Sequence, residues 1–447
     1  MKKVLKKVLG RTYNGLVVPY HHLKGFMSAN HYDYPASAMT VIGVTGTNGK
    51  TSTCCMIYNT LLQAGLKAAM ITTVKTSIFG EDEAQLGHMT TADTRLVNKK
   101  IAQMRDKGVQ YLVLEVSSHA LSQGRVFGIP IDIAVMTNVA PEHLDYHRTF
   151  ERYRQAKVKL FTMLADNAKR GGRGVGIINA DDPSARYFAA VTPQVTSYGI
   201  AKGDIRATRV QSTTKGVDYY TRIDKQAYHI KVNIPGEIYV YNSLAAVAAC
   251  HALGIEKADI EQGIASLAGV DGRMERIENE LGFDVIVDYA HTPDAYEKIL
   301  PDIRKATKGK LIIVSGAAGE RDNSKFAKMG ELAAESADLL ILTEEDAGPV
   351  EVRKLSELVA KGARKAGMVE DDNLLFINNR HDALEKALHS ARKGDTVLLL
   401  GMGHEKQIDR ANGPEPWNDA AAAREIMTDM LTESSLDAKD KKTDKNC

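Results

Sequence analysis

The feature that most constrains this chain is the run Gly43-Val-Thr-Gly46-Thr-Asn-Gly49-Lys50-Thr51, set between an apolar β-rich segment and a helix-like one. A strand that breaks at glycines and restarts as a helix aims backbone N–H groups and the positive end of the helix dipole at one point. That point is a nest for phosphate oxygens. In such a loop Gly46, Thr47, Asn48, Gly49 and Ser52 cradle phosphate, Lys50 neutralises the β- and γ-phosphates, and Thr51 offers a hydroxyl to Mg²⁺. The spacing departs from the strict P-loop, because Val44 rather than a glycine stands five residues before Gly49. A glycine-rich turn with a chance lysine is the bland alternative. The coincidence of strand, loop, Gly-Lys-Thr and helix favours nucleotide binding.

The loop sits in an alternating series. Apolar β-rich runs at Val41–Val44, Met70–Val74, Tyr111–Val116, Ile133–Thr137 and Val175–Ile178 are separated by helix-like segments such as Lys50–Ala64 and Thr94–Lys107. This alternation predicts an α/β fold with a mostly parallel, helix-covered sheet. Residues 194–234 alternate polar and apolar and read as antiparallel hairpins; an alanine-rich helix, Ser243–Leu253, follows and stops at Gly254. A second alternating series comprises Asp284–Val287, Leu311–Val314, Leu339–Leu342, Leu374–Ile377 and Thr396–Leu400. The expected division is a short N-terminal segment (1–39), a central ATP-binding domain (40–268), a C-terminal Rossmann-like α/β domain (269–433) and a polar, disordered tail (434–447).

Bulk properties mainly exclude. With 447 residues, two or three domains are expected, and 44% hydrophobic with 26% charged residues is ordinary for a globular protein. A net charge of +2 gives no global reason to expect nucleic acid or a membrane as partner. Four irregularly spaced cysteines, with no Cys-x-x-Cys pair, fit a reducing cytoplasm without structural zinc. The opening MKKVLKKVLGR is broken by Lys6 and Lys7 and reads as a short amphipathic helix or a basic tail rather than a secretion signal.

The form Gly46-Thr-Asn-Gly-Lys-Thr51 resembles the phosphate loop of the Mur ligases and of their folylpolyglutamate synthetase relatives. Further motifs narrow the resemblance to the UDP-N-acetylmuramyl-tripeptide synthetase branch. They are Glu115-Val-Ser-Ser-His119, Gln123-Gly-Arg125, Thr137-Asn138, His143-Leu-Asp-Tyr-His147, Ala156-Lys157, Gly272-Arg273-Met-Glu275, Asp288-Tyr-Ala-His291-Thr-Pro-Asp294 and Gly401-Met-Gly-His404-Glu405. They run in order from about residue 40 to residue 430. The resemblance implies a central P-loop ATPase domain and a C-terminal Rossmann-like domain, and a reaction joining a carboxylate to an amine with ATP cleaved to ADP and phosphate.

That chemistry brings a carboxylate against the γ-phosphate, two anions that cations must bridge. Lys50, Glu115, His143 and Lys157 are the expected catalytic set. Glu115 ends a buried strand beside the loop, where a Mg²⁺ ligand belongs. Taken without the motif, His143 and Lys157 would be a structural histidine and a surface lysine. The resemblance makes His143 a second-metal ligand and Lys157 a lysine carbamylated by CO₂, so that Thr51, Glu115, His143 and Lys157 form the metal set. Asn242 resembles an adenine-contacting position and Arg273 a phosphate-contacting one; Asp288 and His291 resemble residues that close on ATP. Ile238-Tyr239 replaces the aromatic-Asn pair usual before Asn242.

On the substrate side, Thr90, Thr91, Ser117, Gln123 and Arg125 match positions that hold a muramyl peptide, and Arg321 the position that grips the incoming α-carboxylate. Gly401 and Glu405 match the amino-acid pocket. Relatives that add meso-diaminopimelate carry Asp-Asn-Pro-Arg where this chain has Glu345-Asp346-Ala347-Gly348. An acidic pair without the arginine suits a cationic side-chain end, as in L-lysine or ornithine. About 40 residues precede the loop, too few for the family's uridine-binding domain, so the uridine group is expected to be gripped differently, little, or by a partner chain that replaces that domain. The expected partners are otherwise small molecules: muramyl peptide, amino acid and ATP. Two alternatives stay open: a ligase of this scaffold acting on another carboxylate, and a nucleotide-binding partner that has lost the chemistry.

Overall fold

The computed structural model describes residues 20, 21, 23–83, 91–213, 215–267, 269–319 and 323–443. The chain divides into two compact units. The first comprises the chain through Gln211, Val217–Asn233 and Ile238–Ala268; the second comprises Ser212–Gly216, Ile234–Glu237 and Gly269–Cys447.

The first unit is built on a nine-stranded sheet: β1 (Thr40–Thr45), β2 (Ala68–Ile71), β3 (Thr76–Ile78), β4 (Glu81–Glu83), β5 (Tyr111–Glu115), β6 (Ile133–Met136), β7 (Val175–Asn179), β8 (Gln194–Gly199) and β9 (Ile205–Arg206). The order is β4-β3-β2-β5-β1-β6-β7-β8-β9, and every pair from β2 to β9 is parallel. The central strands read as continuous apolar runs because helices cover both faces, so each is buried but for the first residue of β1 and of β5. Helices Lys50–Gln63, Thr94–Asp106, Phe150–Ala168 and Ile238–Ala252 supply that cover. The phosphate loop leaves β1 at the carboxyl edge of the sheet, with β5 on one side and β6 on the other. That is the crevice where ligands of open α/β sheets bind.

One expectation is corrected. Residues 194–206 do not form hairpins; they are β8 and β9, which extend the parallel sheet. At the sheet's edge the first residues of β8 are exposed, so the strand carries the mixed polar pattern of a half-solvated ribbon. Only the following part is antiparallel, as a three-stranded sheet of β10 (Thr208–Thr213), β11 (Gly216–Ile223) and β12 (Gln226–Val232). The alanine-rich helix starts already at Ile238.

The second unit carries a six-stranded sheet of β13 (Glu275–Ile277), β14 (Asp284–Asp288), β15 (Leu311–Ala317), β16 (Leu339–Glu344), β17 (Leu374–Phe376) and β18 (Thr396–Leu400). Its order is β13-β14-β18-β15-β16-β17, with only β13 antiparallel. A small ribbon, β19 (Gln407–Arg410) and β20 (Gly413–Pro416), follows. The last helix spans Asp419–Thr443 and runs into the segment expected as a tail. Among the described residues no helix is long and apolar enough to cross a membrane.

Candidate functional site

In the first unit the loop is held by side chains that leave no room at its glycines. Gly49 has a left-handed φ of 82°, and a Cβ there would lie 2.2 Å from Asn242 Oδ1. A Cβ on Gly46 would lie 1.8 Å from Thr137 Oγ1. Asn138 Oδ1 accepts from the Asn48 amide at 3.0 Å, and the Asn138 carbonyl accepts from the Thr47 amide at 2.8 Å. The loop is thus fixed from below by β6 and by the start of helix Ile238–Ala252, and backbone can approach a ligand closely there. Lys50 Nζ donates to the Thr47 carbonyl at 2.8 Å, which keeps its ammonium folded over the loop.

Glu115 is buried at the end of β5. Its Oε2 accepts from the Thr51 hydroxyl at 2.9 Å and from the Thr73 amide at 2.9 Å, and its Oε1 from the Thr73 hydroxyl at 2.8 Å. A hydroxyl and a carboxylate already in contact at a helix start form a hard-oxygen donor pair of the kind Mg²⁺ takes, so the residues fit that ion.

Lys157 is no surface lysine. It is buried on helix Phe150–Ala168, with Nζ donating to the Gly46 carbonyl at 2.5 Å and lying 4.5 Å from the centre of the Tyr153 ring. Burial, and after it the neighbouring Lys50 ammonium, hold its proton affinity well below the usual lysine range, while Glu142 and Glu115 oppose that shift. A lowered proton affinity favours the neutral, nucleophilic form of the amine. His143 begins a short helix at φ 54°; its Nε2 lies 3.8 Å from Glu142 Oε2 and its ring 4.7 Å from that of His119. Glu142 also accepts from the Tyr153 hydroxyl at 3.4 Å, and that hydroxyl is 3.0 Å from Thr47 Oγ1.

Four expected substrate residues come together beside this cluster. The Thr91 hydroxyl donates to the Glu115 carbonyl at 3.1 Å and accepts from the Ser117 amide at 3.1 Å. Arg125 donates to the Thr91 carbonyl at 2.6 Å and, through Nη2, to Gln123 Oε1 at 2.6 Å. Burial lowers the affinity of the Arg125 guanidinium for its proton, the sign of a cation held partly away from water. Thr90 and Arg321 lie outside the described residues.

In the second unit, Asp288 ends β14 and accepts from the amides of Met274 and Ala290, both at 2.7 Å. Burial raises its proton affinity, against the pull of Arg273. The Arg273 guanidinium lies 4.5 Å from the Tyr289 ring centre, and His291 Nδ1 is 2.7 Å from the Tyr289 carbonyl. His404 is pushed down to about 3 by burial, with Arg273 and His291 adding to the shift, so it is neutral.

The acidic stretch after β16 is largely engaged within this unit. Arg410 pairs with Glu344 at 2.6 Å and also with Glu415. Asp346 Oδ1 accepts from the Asp409 amide at 2.9 Å. Glu345 is buried, is pushed up to about 7 by that burial, and packs so closely on Gly401 that a Cβ there would lie 2.2 Å from its Oε2. Glu345, Asp346 and Gly401 thus share one carboxyl edge of the sheet; Glu405 follows on the same loop, its amide donating to the Met402 carbonyl at 3.0 Å.

Sequence reading missed Tyr153, Thr73 and Glu142. Tyr153 had a signal, since it precedes Lys157 by one helical turn and therefore shares its face. Thr73 and Glu142 sit in loops, and only the fold brings them to Glu115 and Lys157.

A loop, carboxylate and buried lysine so arranged at the edge of a parallel sheet define a nucleotide-dependent ligase scaffold, and the comparisons agree. The Mur ligase middle domain matches residues 44–250, and the Mur ligase, glutamate ligase domain matches residues 272–403. The chain is 37% identical over 414 residues to the UDP-N-acetylmuramyl-tripeptide synthetase of Roseiflexus sp. (strain RS-1), covering 90% of this chain and 81% of that one. It is 37% identical over 383 residues to UDP-N-acetylmuramoyl-L-alanyl-D-glutamate--2,6-diaminopimelate ligase 1 of Clostridium acetobutylicum, covering 85% and 76%. A solved UDP-N-acetylmuramoyl-L-alanyl-D-glutamate--2,6-diaminopimelate ligase superposes with a TM-score of 0.63 at 26% identity, covering 89% and 80%. Mycobacterium tuberculosis folylpolyglutamate synthase with ADP and AMPPCP superposes at 0.71 with 17% identity, covering 90% and 93%, a likeness of fold. The chain belongs to the Mur ligase family of ATP-dependent amide ligases, a family that uses ATP and Mg²⁺.

Proposed function

We propose that the chain is a cytoplasmic ligase of peptidoglycan precursor synthesis that adds an amino acid to the D-glutamate carboxylate of UDP-N-acetylmuramoyl-L-alanyl-D-glutamate. The observation that carries this reading is the contact of Thr51 with Glu115 beside a buried Lys157 of lowered proton affinity, all against one phosphate loop. The names of the relatives supply the acceptor.

Lys50 and the loop amides hold the phosphates; Thr51, Glu115 and His143 are the protein's ligands for Mg²⁺, with Lys157 joining them as a carbamate. Bound Mg²⁺ supplies the positive charge that lets the acceptor carboxylate approach the γ-phosphate. Thr91, Ser117, Gln123 and Arg125 orient that acceptor, whose activation gives an acyl phosphate. Asn242, Arg273, Asp288 and His291 serve the nucleotide. Attack by the amine then releases phosphate and leaves the amide.

For the amine we favour L-lysine or ornithine. The position of the arginine that meets a distal carboxylate in diaminopimelate-adding relatives is Gly348, and the adjoining Glu345 and Asp346 are acidic. The test is phosphate release from ATP with the muramyl dipeptide, bicarbonate, and L-lysine, L-ornithine or meso-diaminopimelate in separate reactions. Turnover with lysine or ornithine is expected. Turnover with diaminopimelate alone overturns the amine assignment, and no turnover with any overturns the acceptor.

A further inference from the structure

The first half of β8 has a free edge. Along a strand, the N–H and C=O of one residue point to one side and those of the next residue to the other. The Gln194 amide donates to the Gly174 carbonyl at 3.2 Å, and the Tyr198 carbonyl accepts from the Ala180 amide at 2.8 Å, so the even-numbered residues of β8 face β7. Ser197 faces the other way: its amide donates to Asp204 Oδ2 at 3.2 Å, and its carbonyl accepts from the Asp204 amide at 3.0 Å. Val195 shares that direction, but β9 begins only at Ile205, opposite Tyr198. Among the described residues nothing bonds the Val195 amide or carbonyl, and its apolar side chain is 41% exposed.

Val195 lines a cavity of about 610 Å³, a size usual for small-ligand sites. Val175, Ile205, Ile223 and Ala248, all buried, give it an apolar floor. Two charged residues line it as well, Arg173 and Asp204. Arg173 stands at the amino end of β8, because Val175, two residues on, pairs with Gln194. Among the described residues its guanidinium meets no carboxylate and makes one long donation, 3.4 Å to the Ala252 carbonyl. Asp204 stands at the other end, beside Ser197, whose hydroxyl donates to its Oδ2 at 2.6 Å. The cavity also reaches His251 and Ala252, at the end of helix Ile238–Ala252. Asn242, which contacts the phosphate loop, lies nine residues earlier on that helix, about 14 Å along its axis. The cavity is therefore separate from the nucleotide site.

Read along the free edge, the order is a cation, a backbone donor with its acceptor, and a carboxylate. The edge is open over Gln194–Thr196, about 10 Å at about 3.3 Å per residue. We infer that this cavity binds a peptide of two or three residues with free termini, laid antiparallel to β8 as an added strand. Its carboxylate meets Arg173, an amide pairs with the N–H and C=O of Val195, its ammonium meets Asp204, and an apolar side chain covers the floor. Inorganic phosphate would satisfy the cation but not the Val195 carbonyl. A single amino acid is too short to reach both charges. A longer strand is stopped where Asp204 and β9 close the edge.

The experiment is isothermal titration of the full chain with the dipeptide L-alanyl-L-leucine, its C-terminal amide and its N-acetyl form. Binding of the free dipeptide is expected, weakened about tenfold or more by either modification. Arg173→Gln and Asp204→Asn should each weaken it to a similar degree while keeping the parent's ATP affinity and melting temperature. Amidation should then cost the Arg173→Gln variant nothing further, and acetylation nothing further in Asp204→Asn. No binding of the dipeptide overturns the inference. So does equal binding of the modified forms by the parent chain, a result that needs no variant to fold. Undiminished binding by both variants overturns it too, because the dipeptide would then sit elsewhere, as in the ligase site. Displacement of the dipeptide by an equal concentration of inorganic phosphate would reduce the cavity to an anion site and overturn the peptide assignment.

Discussion

Asn242 Oδ1 stands 2.2 Å from the point where a Cβ on Gly49 would be. The residue carrying the amide and the residue closing the phosphate loop are therefore in direct contact, although far apart in sequence. Gly49 also holds a left-handed φ of 82°. Gly49→Ala meets both obstacles at once, a strained backbone and a steric clash, and the loop must shift to relieve them. The expected outcome is at least a hundredfold loss of ATP affinity by isothermal titration, with the melting temperature lowered only modestly. An alanine variant that binds ATP like the parent would remove this account of the loop.

Lys157 is buried at a cost to the folded chain. Its burial disfavours the ammonium, so its affinity for a proton is lower in the folded chain than in the unfolded one. The unfolded state then binds more protons, and stability from this group rises with pH until the unfolded lysine itself loses its proton. The slope is at most about 1.4 kcal/mol per pH unit. Lys157→Met removes the penalty. It should melt higher than the parent near pH 7, with the difference shrinking as pH approaches 10, and it should release no phosphate from ATP. A variant that turns over like the parent, bicarbonate present, would exclude Lys157 from the chemistry.

Glu345 behaves in the opposite sense. Burial pushes it up to about 7, so the folded chain holds its proton where the unfolded chain has lost it. Stability from this group is complete below the unfolded value near 4.5 and declines as pH rises to 7. Glu345→Gln should flatten the melting temperature across that window. If Glu345 also faces the incoming amine, the variant raises KM for the amino acid more than KM for ATP. A pH profile of stability identical to the parent's would show that Glu345 is not held away from water.

The parallel sheets and the phosphate loop were legible because both are local. A strand buried on both faces writes itself as an apolar run, and the Gly-Lys-Thr restart lies within one turn of chain. Glu115 could be singled out from its place at the end of a buried strand beside the loop, whereas Asn242 and Lys157 were singled out only through motif resemblance, since nothing near Lys157 in sequence distinguishes it from a surface lysine. Thr73 and Glu142 were not legible, because each reaches its partner across a loop. The strand β8, next to the short edge strand β9, misled for a related reason: its first residues are exposed and the strand is mostly polar whatever its partner's direction. The engagement of Glu344 by Arg410 was equally hidden, since the two lie 66 residues apart and meet only when the β19–β20 ribbon closes on β16.

Arg380 shows how a non-local partner decides a residue's fate. At the start of a helix, an arginine reads as a solvated surface group, yet this one is wholly buried. It pairs with the equally buried Asp419 at 2.6 Å and donates to the carbonyls of Glu344 at 3.0 Å and Leu400 at 2.8 Å. One guanidinium thus ties the ends of β16 and β18 to the start of the last helix, and so holds in register the two strands that carry Glu345 and Gly401. Asp419→Ala leaves that cation buried without its counter-charge, which costs about 3–5 kcal/mol. Arg380→Met/Asp419→Leu removes both charges together and should recover most of that loss, because the penalty belongs to the unpaired ion rather than to the pair. Denaturant unfolding of the second unit's sheet reads both effects. Amino-acid KM separates support from stability: a double variant with recovered stability but a raised KM shows that the guanidinium positions the strand ends. Unchanged stability in Asp419→Ala would mean that water reaches Arg380.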